Sequence, residues 1–121
     1  MSRAKIDEGN RGEDIACDYL KNHGFKIIER NFRLKGGEID IVATRDNILV
    51  FIEVKTRTSS RFGTGFEAIT SWKLKALTKS AQFYKITHKD LPDAMRIDAI
   101  SIVLDYDGTV EKFEHIESVT F

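Results

Sequence analysis

The sequence predicts an α/β fold in which a helix, three strands, a second helix and two strands form around a mixed central sheet. Two segments repeat apolar residues at helical spacing, and five others alternate apolar with polar residues or are rich in β-branched and aromatic residues. Turn residues such as Gly, Asn and Asp separate these segments. The chain has 121 residues, the size of one core, so we expect a single domain over residues 1–121.

The first helix is predicted over residues 10–22. Ala16, Tyr19 and Leu20 recur near a helical period, and Gly24 follows where a left-handed helix cap is expected. Asn10 followed three residues later by Glu13 has the spacing of a capping box, which would place the start of the helix there.

Three strands should follow, at residues 25–34, 38–44 and 48–56. Two glycines in the segment 35–37 supply the backbone freedom for the first turn, and Asp46-Asn47 is suited to a second, tight turn. The third strand is rich in Val, Ile and Phe, as is typical of a central strand covered on both faces.

The second half of the chain reads as a loop, a helix and a final hairpin. The Ser-, Thr- and Gly-rich segment 58–65 predicts the loop, and Thr70 or Ser71 can cap a helix that runs to about Thr87. Its apolar stripe is separate from the face that carries Lys75 and Lys79. Strands at 95–104 and 109–116 complete the order, joined by an Asp-Gly turn.

Charge is balanced overall but unevenly distributed along the chain. The formal net charge is zero, yet residues 55–89 hold eight Lys/Arg against one Asp/Glu. This segment would attract a polyanion such as DNA, or it is simply a solvated basic helix face; composition alone leaves both open. If it binds nucleic acid, the candidate contacts are Arg57, Arg61, Lys73, Lys75 and Lys79.

Compartment and membrane contact follow from what the sequence contains. One cysteine, Cys17, permits no intramolecular disulfide, and the first residues do not read as a signal peptide. The longest apolar run falls far below the ~20 residues of a membrane helix. We therefore expect a reducing, cytoplasmic location and no membrane partner.

The turn at Asp46-Asn47 predicts which side chains meet. A two-residue turn pairs Arg45 with Ile48, which by counting places Asp40 opposite Glu53. Directly opposed residues on one face have Cβ atoms only ~5 Å apart, so the two carboxylates would repel unless they share a proton or bind a cation. The same register places Glu38 opposite Lys55.

Oxygen ligands without nearby His or Cys favour Mg²⁺ or Mn²⁺ over zinc. Such an ion can activate a bound water, while Lys55 offsets charge on a phosphoryl oxygen, as phosphodiester hydrolysis requires. The alternative is a surface hairpin with an ordinary Glu38–Lys55 ion pair.

Some other polar residues have structural interpretations. Glu13 either caps the first helix or, since it shares a face with Ala16, needs a metal or cationic partner at the sheet. Arg96 and Asp98 lie on one side of their strand and predict a structural ion pair. The three histidines show no metal-ligand spacing and are expected at the surface.

A family resemblance rests on four motifs: Gly12-Glu13, then Gly-Glu-Ile-Asp ending at Asp40, Phe-Ile-Glu-Val-Lys ending at Lys55, and Phe62-Gly63. With these the chain resembles the YraN-like proteins, a bacterial family of predicted endonucleases, over nearly its whole length and most clearly over residues 11–102. Its catalytic core is also similar to archaeal Holliday-junction resolvases, which share with that family the PD-(D/E)XK pattern.

The resemblance implies a restriction-endonuclease-like core, metal ligation by Asp40 and Glu53, catalytic assistance by Lys55 and an acidic contribution, as a further metal ligand, from Glu13. It implies an Mg²⁺- or Mn²⁺-dependent endonuclease acting on DNA, preferably branched or structured, with a homodimer as one option for its assembly. Ile39 precedes Asp40 where the stricter pattern has Pro. The alternative is a nuclease-fold module that binds nucleic acid or a protein partner without cutting.

Overall fold

The computed structural model describes residues 3–58 and 71–119, with side chains from residue 9 in the first segment and from residue 73 in the second. The order of elements is the predicted one. They are α1 (Arg3–Asn22), β1 (Lys26–Leu34), β2 (Gly37–Arg45), β3 (Ile48–Thr58), α2 (Ser71–Thr87), β4 (Met95–Leu104) and β5 (Val110–Ile116).

Helix α1 begins at Arg3, well before the predicted start near Asn10. Residues 3–8 are good or tolerable helix formers, so the turns before Asn10 continue the helix and Asn10 is an interior residue. The capping-box interpretation of Asn10 and Glu13 is therefore wrong, because Glu13 lies several turns inside α1.

The five strands form one mixed sheet in the order β1-β2-β3-β4-β5. All neighbours pair antiparallel except β3 and β4, which are parallel. Parallel neighbours need a long crossover connection, and α2 lies within the segment that joins these two strands. The predicted mixed α/β architecture is confirmed.

Each face of the sheet carries its own apolar cluster. The α1-side core joins Ala16, Cys17 and Leu20 of α1 to inward residues such as Ile41 and Ile52. The α2-side core joins Leu77, Ala81 and Tyr84 of α2 to sheet residues on the opposite face. Those sheet residues are Ile39, Val42, Leu49 and Phe51. In the part of the chain described, neither helix has the length and apolar content needed to span a membrane.

The β2–β3 hairpin has the register predicted from its turn. Arg45 pairs with Ile48, and the ladder runs back to Ile41 opposite Ile52. Asp46 and Asn47 have φ of 51° and 61°, the left-handed pair that a two-residue turn of this kind requires. The ladder stops at Ile41 and Ile52, one position before the predicted Asp40–Glu53 pair.

A candidate active site where β2 and β3 separate

Asp40 lies at the point where the β2–β3 ladder ends. Its Oδ2 accepts a hydrogen bond from the backbone N–H of Val54 at 2.8 Å, so a carboxylate replaces the backbone acceptor that a continuing ladder would supply. This bond fixes Asp40 against β3 at Val54, the residue that follows Glu53 in the sequence. The two predicted partners are adjacent, although they are not a ladder pair.

The backbone of β2 is irregular at Asp40. Ile39 and Ile41 would share a face in a regular strand, but Ile39 belongs to the α2-side core and Ile41 to the α1-side core. On β1, the pairs on either side leave Asn31 opposite Asp40, and Asn31 has a φ of 55°. Asp40 therefore occupies a bend that reorients its side chain.

Glu53 is 7% exposed and forms an ion pair with a lysine of α2. Lys73, in the first turns of α2, places Nζ 2.7 Å from Glu53 Oε1. Glu53 follows Phe51 by two residues and so faces α2, as the α2-side core does. A buried carboxylate needs such a partner, because burial removes its hydration.

Burial and then the charge of Glu53 raise the pKa of Asp40 to about 8, against the opposing effect of the Val54 hydrogen bond. Near neutral pH the pair therefore holds a proton or attracts further positive charge. A carboxyl that resists ionisation beside a second carboxyl fits a divalent cation, and the Lys73 ammonium already occupies one side of Glu53.

Lys55 completes the group of charges. It is partly buried and lies on the same face as Glu53 by strand alternation. Burial and the neighbouring charge of Lys73 lower the pKa of Lys55, while Glu53 and Asp40 act in the opposite direction. Glu38, expected opposite Lys55, instead lies 3.8 Å from Arg33 of β1, so the alternative Glu38–Lys55 surface pair is not formed.

Glu13 approaches the site from α1 without joining the other two acids. Its Oε1 lies 3.5 Å from Arg30, and its charge is one of the weaker causes that raise the pKa of Asp40. Among the described side chains, no three His, Cys, Asp or Glu converge closely enough to hold a metal ion. Asp40 and Glu53 thus share a pocket, whereas Glu13 pairs with Arg30 and is not among the residues that line it.

The acid pocket is a cavity of about 260 Å³ between the β1–β2 turn, the end of the β2–β3 ladder and α2. Asp40, Glu53 and Lys73 line it, together with Glu38, Gly36, Gly37, Ala76 and Leu77. Ionisable side chains from two strands and a helix therefore line one concave surface, as expected of a binding or catalytic site.

The five predicted nucleic-acid contacts separate into different environments. Lys75 and Lys79 are exposed on α2, and Arg57 is partly buried near the end of β3. Lys73 forms an ion pair with Glu53, and Arg61 lies outside the described residues. The Lys73–Glu53 contact was not predicted from the sequence. A signal for it exists, because Lys73 precedes the core residue Leu77 by one helical turn and therefore lies near the sheet.

A second polar cluster lies on the α1 side of the sheet. The predicted Arg96–Asp98 ion pair is confirmed at 3.0 Å, and Asp98 also contacts His115 Nε2 at 2.8 Å. The expected surface position of the histidines is wrong for His115, whose side chain is 6% exposed. Although burial opposes it, hydrogen bonds from His115, Ser118 and Arg96 lower the pKa of Asp98.

The sequence of this chain matches a known protein family. The model of "Uncharacterised protein family UPF0102" matches residues 12–102, which include Glu13, Asp40, Glu53 and Lys55. A UPF0102 protein of Geobacter metallireducens is 44% identical over 116 residues, covering 96% of this chain and 93% of the relative. One from Clostridium botulinum is 49% identical over 108 residues, covering 87% and 86%.

A third relative, from Leifsonia xyli, is 46% identical over 101 residues, with 83% of this chain and 86% of the relative covered. These relatives carry only the family name, which states no activity. The resemblance to the YraN-like proteins is thereby confirmed at the level of family. The chain belongs to the uncharacterised protein family UPF0102.

Proposed function

We propose that this protein is a divalent-metal-dependent endonuclease with a restriction-endonuclease-like core that hydrolyses phosphodiester bonds in DNA. The observation that supports it best is the pair of Asp40 and Glu53 at the end of the β2–β3 ladder, where burial and mutual repulsion raise the pKa of Asp40 to about 8. An evolved protein retains such a costly arrangement most readily when a ligand relieves it.

Mg²⁺ or Mn²⁺ fits this donor set. Both ions accept carboxylate oxygens, and Mg²⁺ usually takes one or two of them together with several waters. Asp40 and Glu53 would hold the ion, and Glu13 would act on the site only through its charge. When bound, the metal supplies a more acidic water and stabilises charge on a phosphoryl oxygen.

The lysines have separate roles in the proposal. Lys55 faces the same side as Glu53, where its ammonium can stabilise negative charge that develops on the scissile phosphate. Lys73 compensates the charge of Glu53. The Val54 N–H holds the Asp40 carboxylate in place, so the position of that oxygen does not depend on a ligand.

DNA as substrate is supported by the exposed lysines of α2 beside the acid pocket and by the resemblance to resolvases. The resemblance also favours branched or structured DNA. The element order, with α2 crossing between parallel strands β3 and β4, supports the restriction-endonuclease-like core. A homodimer would give the two-fold symmetry that a junction substrate matches.

The test is cleavage of labelled junction, flap, single-stranded and duplex DNA by the purified protein, with and without Mg²⁺ or Mn²⁺. Asp40→Asn should reduce cleavage at least ~100-fold, since loss of outer-shell groups alone can cost that much at metal sites. Asp46→Asn, at the other end of the same hairpin, is the matched control and should cleave normally. Absence of metal-dependent cleavage on all four substrates would reject the proposal.

One observation favours a second candidate, a module that binds nucleic acid or a protein partner without cutting. The Lys73–Glu53 contact at 2.7 Å already satisfies one of the two carboxylates without a metal. If Lys73 is a permanent structural partner, adding Mg²⁺ should leave the stability of the protein unchanged. The response of Lys73→Met to added metal separates the two candidates.

A further inference from the structure

A second cavity, the basic groove, runs between the β1–β2 turn and α2. It measures about 620 Å³, and its walls carry Lys35 from the turn and Lys75, Lys79 and Phe83 from α2. That volume lies within the range of sites that enclose a small ligand. It is therefore large enough for a few nucleotides of one strand and too small to enclose a double helix.

The groove is positively charged over the part of its walls that the structure describes. Lys35, Lys75 and Lys79 are exposed, and none forms an ion pair within residues 9–58 and 73–119. None of the groove's lining residues in those segments is acidic. Lysines that converge without anionic partners favour a phosphate backbone as occupant, because binding releases the counterions that condense on it.

The basic groove leads into the acid pocket. Gly36 and Ala76 line both cavities, so an occupant of one can continue into the other. Gly37 packs so closely on Ser80 that an added Cβ would lie 2.7 Å from its Oγ. The turn is thus held against α2, and the connection between the cavities is built into the fold.

Phe83 gives the groove a feature that phosphate binding does not need. Its side chain is 48% exposed and lines the groove, so part of its ring is open to an occupant. Lys75 and Phe83 are eight residues apart on one helix, or ~12 Å, the length of three to four stacked nucleotides. An aromatic face beside a row of lysines is how proteins bind unpaired bases.

We propose that the basic groove binds an unpaired DNA strand, with its phosphates on Lys35, Lys75 and Lys79 and a base stacked on Phe83, and delivers that strand to Asp40 and Glu53. This inference rests on the proposed function for its purpose, since it names the substrate class of the same site. The preferred substrate is DNA with a single-stranded segment next to the cut.

The experiment measures binding apart from cleavage. In buffer with EDTA, fluorescence anisotropy gives the Kd of the full chain for a labelled single strand, for its blunt duplex and for the duplex with a single-stranded tail. The single strand and the tailed duplex should bind more tightly than the blunt duplex. Phe83→Leu should weaken only the first two, by about fivefold or more, because it removes one stacking contact.

Lys79→Gln should weaken binding and reduce the slope of log Kd against log salt by ~0.7, the contribution of one phosphate contact on a single strand. The matched controls are Tyr106→Leu, an exposed aromatic in the β4–β5 turn, and Lys112→Gln on β5, which should change neither quantity. Equal affinity for blunt duplex and single strand, or an unchanged Kd in Phe83→Leu, would overturn the inference.

Two further outcomes separate this inference from the proposed function. Single-strand binding that depends on Phe83, in a protein that cuts nothing with metal, would support the groove and reject the nuclease. Metal-dependent cleavage of blunt duplex with no effect of Phe83→Leu would do the reverse. If Phe83→Leu instead abolished self-association and left DNA binding unchanged, the groove would be a protein interface and the inference would fall.

Discussion

At the scale of single residues, Asp40 shows how one side chain serves both the fold and the site. Its Oδ2 accepts a hydrogen bond from the Val54 N–H, which lies beyond the end of the β2–β3 ladder. The same carboxylate lies beside Glu53. An asparagine could keep the hydrogen bond through its side-chain oxygen but would lose the charge. The two contributions of Asp40 can therefore be separated by one substitution.

The raised pKa of Asp40 predicts a pH dependence of stability in metal-free buffer. Since the pKa is about 8 in the folded protein and ~3.9 in an unfolded chain, the folded state binds the proton more tightly. The stability that this proton provides is complete below about pH 4 and is lost as the pH rises through about 8. Urea unfolding of Asp40→Asn across this range should show a flatter profile than the parent. Parallel profiles for the two proteins would contradict the pKa shift, and Asp46→Asn is the control.

Lys73 predicts a different linkage. Lys73→Met leaves buried Glu53 without its ammonium, and we expect a loss of ~1–3 kcal/mol without metal, less than for a fully buried pair because Lys73 is one-third exposed. Mg²⁺ or Mn²⁺ should then stabilise the variant more than it stabilises the parent, since the ion replaces the missing charge. Thermal melts with increasing metal measure this. Lys75→Met is the control on the exposed face, and a variant that metal does not stabilise would favour the non-cleaving module.

At the scale of elements, the local signals predicted the β2–β3 hairpin and missed its end. Asp46 and Asn47 set the register because their left-handed backbone leaves only one pairing of the strands. The ladder ends at Ile41, where β2 bends at Asp40 opposite Asn31 of the neighbouring strand. This bend depends on contacts between strands, which local sequence signals do not show. Sequence therefore identified the two acids, but the position of Lys73 required α2 to be placed on the sheet.

Helix α1 is held against β3 by a close approach at Gly12. An added Cβ there would overlap the Thr56 side chain, so α1 could not keep its distance from the sheet. Gly12→Ala should destabilise the protein by ~1–3 kcal/mol through overpacking, although alanine is the better helix former by ~1 kcal/mol. The displacement should also move Glu13, one residue further along α1.

The control for this substitution lies on the same helix. Gly9 has open space around its Cβ position, so Gly9→Ala should be neutral or stabilising by up to ~1 kcal/mol. Thr56→Ala should recover part of the loss in the double variant, as contacting residues do not behave additively. Denaturant unfolding of the four variants measures all terms. Equal effects of Gly9→Ala and Gly12→Ala would show that the close approach is not what requires glycine.

At the scale of the whole molecule, the two polar clusters lie on opposite faces of one sheet. Asp98 on the α1 side joins Arg96, His115 and the backbone N–H of Ser118, and Tyr19 of α1 contacts His115 at 3.0 Å. This cluster connects α1, β4, β5 and the segment after β5, and its charges are mutually satisfied. In the acid pair on the α2 side, burial and the charge of Glu53 instead raise the pKa of Asp40, which favours this pair over the Asp98 cluster as the candidate site.

The same substitution at the two aspartates should therefore have opposite effects. Asp98→Asn removes a buried charge that compensates Arg96, so we expect a loss of several kcal/mol, on the order of 3, with metal-dependent cleavage retained at temperatures where the variant is folded. Asp40→Asn removes a carboxyl that must take up a proton on folding near neutral pH, so the variant should be as stable as the parent or more stable there without metal, yet inactive. Melting temperatures in EDTA and cleavage rates in Mg²⁺ measure both. A clear loss of stability in Asp40→Asn with activity retained would show that Asp40 belongs to a structural network and would leave the binding module as the better assignment.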